Sequence, residues 1–266
     1  MNLADYHTHT PLCMHAEGSP EEYVQQALSA GLAEYGVADH APVGYEFFDD
    51  WRMLYSQLPE YWNWVQRAQD AAKGQIPIKV GLECDWLPQC ESWIEKLRAE
   101  YSWDYLIGSV HYLADQWDFD NPKWLGKWSS VNVEDVWQQY WDTYTDMISS
   151  GLFDIHGHPD LIKKFGYVPK RDLRSYYDPA IEALVATNGA IELNTAGWYK
   201  PCAEQYPAVG FLERCAEAQV AIVVSSDAHA PSEVARDFDK ATSLLRKVGF
   251  TTTVRFDQGQ RYEISL

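Results

Sequence analysis

The stretch NLADYHTHTPLCMHAEGSPEEYVQQALSAG, residues 2–31, holds the unit from which the chain is built. Asn2 to Tyr6 reads as a short strand. Ser19 before Pro20, with Glu22 close behind, gives an N-cap, a first-turn proline and a capping box, and the helix they open stops at Gly31. Strand, loop and helix follow in that order.

The same grammar recurs to residue 256. Strands are expected at Glu34–Ala38, Ile78–Leu82, Tyr105–Val110, Phe153–Ile155, Ala190–Leu193, Val220–Ser225 and Thr251–Phe256. Helices are expected near Pro59–Lys73, Glu91–Tyr101, from Val133 to just before Gly151, Pro179–Asn188, Pro207–Ala218 and Pro231–Lys247. No linker rich in Pro, Gly or Ser divides them, so a single domain over residues 1–266 is expected, of α/β class. A closed or nearly closed (β/α) barrel is the economical architecture, although an open doubly wound sheet would read similarly. Tyr112 to Val131 breaks the rhythm, with Trp117, Phe119, Trp124 and Trp128 among Asp, Asn, Pro and Gly. Three readings stand for it: aromatics packed back on the barrel, a mobile lid, or a subunit contact in a homo-oligomer.

Composition excludes several classes of function. Hydrophobic residues make up 46% and charged residues 23% of 266, which is globular. Lys plus Arg number 21 against 39 Asp plus Glu; the net charge of -18 repels nucleic acid and anionic membrane surfaces, so neither is an expected partner. The longest aliphatic run is Val220 to Val224, and Asp5 and His7 stand where a signal peptide would be apolar, so a cytoplasmic location is expected. Cys13, Cys84, Cys90, Cys202 and Cys215 form no CxxC pair and suggest neither a disulfide framework nor a zinc knuckle.

The histidines carry the chemistry. His7 and His9, His40, His111, His156 and His158, and His229 stand at or just after the ends of apolar runs, as does Glu83. In a (β/α) barrel those ends converge on one face, which gathers His, Asp and Glu into one cluster. His7 and His9 share the period of a strand and point to one side. Imidazole and carboxylate together suit Zn, Mn or Fe, and open coordination positions imply catalysis. No GxGxxG, GxxxxGK[ST] or GxSxG motif competes with this reading.

His7-Thr-His9, Cys13-Met-His15-Ala-Glu-Gly18, Ala38-Asp39-His40, Gly81-Leu-Glu83, Gly108-Ser-Val-His111, His158-Pro-Asp160-Leu and Ser226-Asp227-Ala-His229 together resemble the PHP (polymerase and histidinol phosphatase) superfamily. His158 to Phe165 and Ile191-Glu-Leu-Asn-Thr-Ala-Gly197 are most similar to its histidinol-phosphate phosphatases. The resemblance implies a distorted (β/α)7 barrel of TIM-like type and three divalent transition-metal ions, Zn, Mn or Fe. His7, His9, Glu83 and Asp227 would hold the first, Glu83, His111 and His158 the second, and His15, His40 and His229 the third. It implies a metal-dependent hydrolase that turns a small phosphomonoester, L-histidinol phosphate, into L-histidinol and phosphate for histidine biosynthesis. A metal-activated hydroxide would be the nucleophile. Glu83, Asp227, His158 and Asp160 would be the catalytic groups; leaving-group protonation would come from a metal-bound water, Asp160 or His156, although a supporting or structural part is the expected one for His156. Where such phosphatases commonly show arginine after Asn-Thr-Ala-Gly, this chain has Trp198-Tyr199-Lys200, so phosphate binding falls to Lys163, Lys164, Lys200, Asn194 and Tyr199. The alternatives are another phosphomonoester or a nucleotide as substrate, or a non-catalytic module that binds metal and a partner.

Overall fold

The computed structural model describes residues 2–44 and 48–266. Its first unit forms as the caps dictate. After β1 (Ala4–Asp5) the chain passes through a loop to α1 (Pro20–Ser29), where Ser19 Oγ accepts from Glu22 N and the Glu22 carboxylate accepts from Ser19 N at 2.8 Å. Repeats of this unit give β2 (Glu34–Val37), α2 (Leu58–Ala72), β3 (Ile78–Val80), β4 (Glu83–Asp85), α3 (Glu91–Glu100) and β5 (Ile107–Ser109). A small hairpin, β6 (Tyr112–Leu113) with β7 (Trp117–Asp118), precedes α4 (Val133–Ser149). Then come β8 (Ile155–His156), α5 (Arg174–Thr187), β9 (Ala190–Asn194), α6 (Val209–Glu217), β10 (Ala221–Ser225), α7 (Phe238–Val248), β11 (Thr252–Asp257) and β12 (Gln260–Ser265).

The fold is α/β, with parallel strands and helices between them. One parallel sheet runs β1-β2-β3 and a second runs β10-β9-β8-β5-β4. The two meet twice, at isolated parallel bridges between Thr8 and Ala228 and between His40 and Glu83. At the first joint His9 N donates to Ala228 O at 2.9 Å; at the second Ala41 N donates to Glu83 O at 2.8 Å.

Alternate residues along the strands face different cores. Ala4, Tyr6, Ile107, Ile155, Ala190 and Val223 form an inner cluster with Tyr105, Val254 and Phe256. Ile191, Leu193, Ile222 and Val224 belong to a larger cluster with the apolar faces of the helices. Tyr105 lies across the inner space with its hydroxyl donating to Tyr6 O at 2.6 Å, and a Cβ at Gly36 or Gly81 would overlap it. The antiparallel pair β11–β12 plugs the end opposite the histidines: the Phe256 ring meets Tyr6 edge-on at 5.9 Å, and Phe256 N donates to Tyr6 Oη at 3.0 Å.

Five elements differ from expectation. The strand expected at Ile78–Leu82 divides into β3 and β4, which pair in different sheets, so Glu83 opens a strand rather than following one. The strand at Thr252–Asp257 pairs antiparallel with β12, which the sequence reading lacked. Helix α5 starts at Arg174 and carries Pro179 inside it, because packing of Tyr176, Tyr177 and Ala180 outweighs one lost backbone bond. The helix expected from Pro231 divides into a single turn and α7, because Ala235 and Asp237 take left-handed φ of 57° and 61°. The Trp-rich stretch folds as β6, β7 and a 3₁₀ segment (Pro122–Ser130); Trp117, Phe119 and Trp128 are buried, and Trp128 stacks on Tyr167 at 4.9 Å. Among the described residues no helix is long and apolar enough to cross a membrane.

Truncating the plug tests the inner cluster. Phe256→Ala should cost about 3–5 kcal/mol of unfolding free energy in denaturant titration, the usual cost of emptying a buried aromatic site. A shift below about 1 kcal/mol would show that the hairpin does not support this core.

Candidate metal centre

Strand ends deliver the polar cluster. His7 and His9 leave β1 on one side while Thr8 turns to the other, where its Oγ1 donates to Gly36 O at 2.8 Å. His40 follows β2, Glu83 opens β4, His111 follows β5, His158 follows β8, and Asp227 and His229 follow β10. Asp227 and His158 take positive φ of 55° and 24°, strained backbone of the kind that collects at functional sites.

Glu83 is the hub. Its Oε2 lies 2.7 Å from His40 Nδ1, 3.3 Å from His7 Nε2 and 3.8 Å from His9 Nε2, while Oε1 lies 2.8 Å from His158 Nε2 and 3.6 Å from His111 Nε2. Asp227 Oδ1 adds contacts of 3.1 Å to His9 Nε2 and 3.8 Å to His7 Nε2. The rings of His15 and His229 are 4.6 Å apart, and those of His15 and His40 5.4 Å apart. All nine residues expected to hold metal are thus brought together. Ligand atoms of His7, Glu83 and His158, of His7, His9 and Asp227, and of His9, His40 and His229 lie within 4.8 Å of one another in each group.

A further layer of acids fixes the imidazoles from behind, and the sequence reading assigned it no role. Glu192 Oε2 is 3.0 Å from His7 Nδ1, Asp39 Oδ1 is 3.3 Å from His9 Nδ1, and Asp85 Oδ1 is 2.8 Å from His111 Nδ1. Arg52 in turn donates to Asp85 Oδ2 at 2.8 Å. Each pairing turns Nε2 toward the cluster and fixes the tautomer, as in metal sites. The signal for Glu192 was an acid inside the apolar run Ala190 to Leu193.

The electrostatics suit a cation. Burial alone would push the Glu83 carboxyl up, but the imidazoles of His7, His40 and His111 hold it well below the usual range. Burial also pushes His40 and His229 well down. His7 Nε2, His40 Nδ1 and Glu83 Oε2 are buried and crowd one another, yet none makes a hydrogen bond of acceptable geometry. Buried imidazole nitrogens and carboxylate oxygens aimed at shared points without hydrogen bonds between them fit bound metal ions.

Above the cluster opens a cavity of about 560 Å³, walled by His15, His40, Glu83, His111, His158, Asp227 and His229. Its cations are Lys164, Lys200 and Arg236; its acids include Asp50, Asp118, Asp120 and Glu233. Burial and Asp120 push the Asp118 carboxyl up to about 7, while Asp120 is held low, against its burial, by Lys164 at 2.7 Å. Other expected residues stand off this wall. Lys163 is buried in ion pairs with Asp160 at 3.1 Å and Glu204 at 2.7 Å, and Asp160 also accepts from Ala208 N at 3.1 Å. Asn194 lies beneath, donating to Glu192 at 2.9 Å and Asp227 at 3.2 Å. Tyr199 is exposed beside the rim, its hydroxyl donating to Asp237 at 2.7 Å. His156 is bound through Nδ1 to Ala190 O at 2.9 Å, kept neutral as burial pushes it down to about 4, and lines a separate recess with Asn188 and Arg261.

Comparison with known proteins places this geometry. The model of the PHP domain family matches residues 5–196. The chain is 40% identical over 250 residues to a probable histidinol-phosphatase of Deinococcus radiodurans, covering 94% of this chain and 95% of that one. It is 26% identical to a histidinol-phosphatase of Bacillus subtilis, over 88% of this chain and 96% of the relative. The fold is similar to the crystal structure of a histidinol phosphate phosphatase from Lactococcus lactis complexed with zinc, L-histidinol and phosphate, with a TM-score of 0.83, 23% identity and coverage of 98% and 99% of the two chains.

Glu192 offers a direct check on the supporting layer. Glu192→Ala should weaken metal binding by a factor on the order of 10 to 100, read by chelator competition, because His7 loses its anchor. Unchanged affinity would show that His7 needs no partner.

Proposed function

The chain belongs to the PHP domain family, and from that membership and the cluster around Glu83 we propose that it hydrolyses L-histidinol phosphate to L-histidinol and phosphate, in histidine biosynthesis. The observation that carries the reading is the placement of Glu83, a buried carboxylate with each oxygen facing a different set of imidazoles at the floor of an open cavity.

His7, His9, Glu83 and Asp227 would hold one divalent ion, Glu83, His111 and His158 a second, and His15, His40 and His229 a third, with Zn, Mn or Fe suited to these donors. When bound, such ions supply a water of lowered pKa and positive charge against the phosphoryl oxygens. Glu192, Asp39 and Asp85 orient the imidazoles, and Asn194 holds Asp227 in line. Lys164, Lys200 and Arg236 on the wall oppose the net charge of -18 and draw an anion inward. Asp160 and His156 lie off the cavity wall, so we assign both to support rather than proton transfer. The same reading takes residues 1–266 as one domain, and the two sheets as a single (β/α)7 ring of β1, β2, β3 with β4, β5, β8, β9 and β10, in which β3 and β4, separated only by Gly81 and Leu82, count as one strand. The bridges at Thr8 and His40 support that ring. The five free cysteines support a cytoplasmic location.

Phosphate release from L-histidinol phosphate, measured beside a panel of other phosphomonoesters, tests the proposal. Dipicolinate treatment should abolish turnover, and Zn, Mn or Fe should restore it; full activity of stripped protein would overturn the reading. Glu83→Gln should lower both metal content and turnover, the latter by a factor on the order of 100 or more, because one carboxylate serves two ion sites.

A further inference from the structure

The cavity wall holds one guanidinium among the described residues, that of Arg236. Its Nη1 donates to Glu233 Oε1 at 3.0 Å, while its Nε is buried with no hydrogen-bond partner. Its guanidinium carbon lies 3.7 Å from the centroid of the Tyr199 ring. That ring is fixed in turn by the bond from its hydroxyl to Asp237 at 2.7 Å. A guanidinium centred over an aromatic face, with an N–H that has no partner, is suited to a pair of acceptor oxygens.

The backbone is built to deliver it. Ala235 and Asp237 on either side are both left-handed, and Ala235 N donates to Asp5 Oδ2 at 2.9 Å. Asp5 Oδ1 also accepts from Ser226 N at 3.0 Å, next to Asp227. Glu233 links the other way, accepting from His229 N at 2.8 Å. Arg236 is therefore tied at two points to the loop that carries Asp227 and His229. The remaining wall cations are less suited: Lys164 is paired with Asp120, and Lys200 is an exposed point charge.

We propose that Arg236 is the group that grips the phosphate of the substrate and that Tyr199 is its positioning residue. The inference rests on the phosphatase reading of this cavity. Tyr199 accordingly acts through its ring and not through contact with the phosphate.

The test uses the full chain loaded with zinc, with inorganic phosphate as inhibitor and L-histidinol phosphate as substrate. Arg236→Ala should weaken phosphate inhibition and raise KM by a factor on the order of 10 to 100, with a much smaller change in kcat and full metal content by elemental analysis. Arg236→Lys should recover only part of the loss, since it restores charge but not the fork. Tyr199→Ala should move KM and phosphate inhibition in the same direction, while Tyr199→Phe, which keeps the ring and loses only the bond to Asp237, should move them clearly less. Phosphate inhibition of Arg236→Ala within about twofold of wild type would overturn the assignment alone. A wild type that neither hydrolyses the substrate nor binds phosphate would overturn the phosphatase reading, and the assignment with it.

Discussion

Glu83 holds the molecule together in two senses. Its main chain forms one of the two joints between the parallel sheets, with Glu83 N donating to Asp39 O at 3.0 Å and Glu83 O accepting from Ala41 N. Its side chain, almost fully buried, faces five imidazoles. An isolated carboxylate at that depth would be strongly disfavoured, so the histidines around it are a condition of folding as well as of chemistry.

The architecture separates its duties along the strands. The end plugged by Val254 and Phe256 is apolar and filled, and the end bearing the histidines is polar and open. Between them Tyr6 and Tyr105 close the inner space, with both hydroxyls bonded. Polar groups that face the site are backed by further polar groups: Arg52 behind Asp85, Asp85 behind His111. This layering keeps ligand atoms in place without relying on the ligands' own packing.

How much of this could be read from the chain depends on range. The strand ends were legible because an apolar run and the His, Asp or Glu after it are neighbours in sequence, as in Gly108-Ser-Val-His111. The partners behind them were not, because Glu192 meets His7 across 185 positions and no local pattern records that. Arg236 was hidden for another reason. Pro231 to Lys247 has the composition of one helix, and the break arises from left-handed Ala235 held by Asp5, a tertiary contact that overrides propensity. Likewise the Trp-rich stretch has no period of its own, since its order comes from stacking on Tyr167.

The joint between Thr8 and Ala228 also governs when the molecule can become active during its synthesis. His7 and His9 leave the ribosome more than two hundred residues before His229. At 5–20 residues per second, that is an interval of roughly ten to forty-five seconds in which the early imidazoles lack Asp227 and His229. A nascent chain that has reached β9 still has no strand to lay beside Thr8. Complete metal loading is therefore a late event, and unfinished chains hold only part of the ligand set.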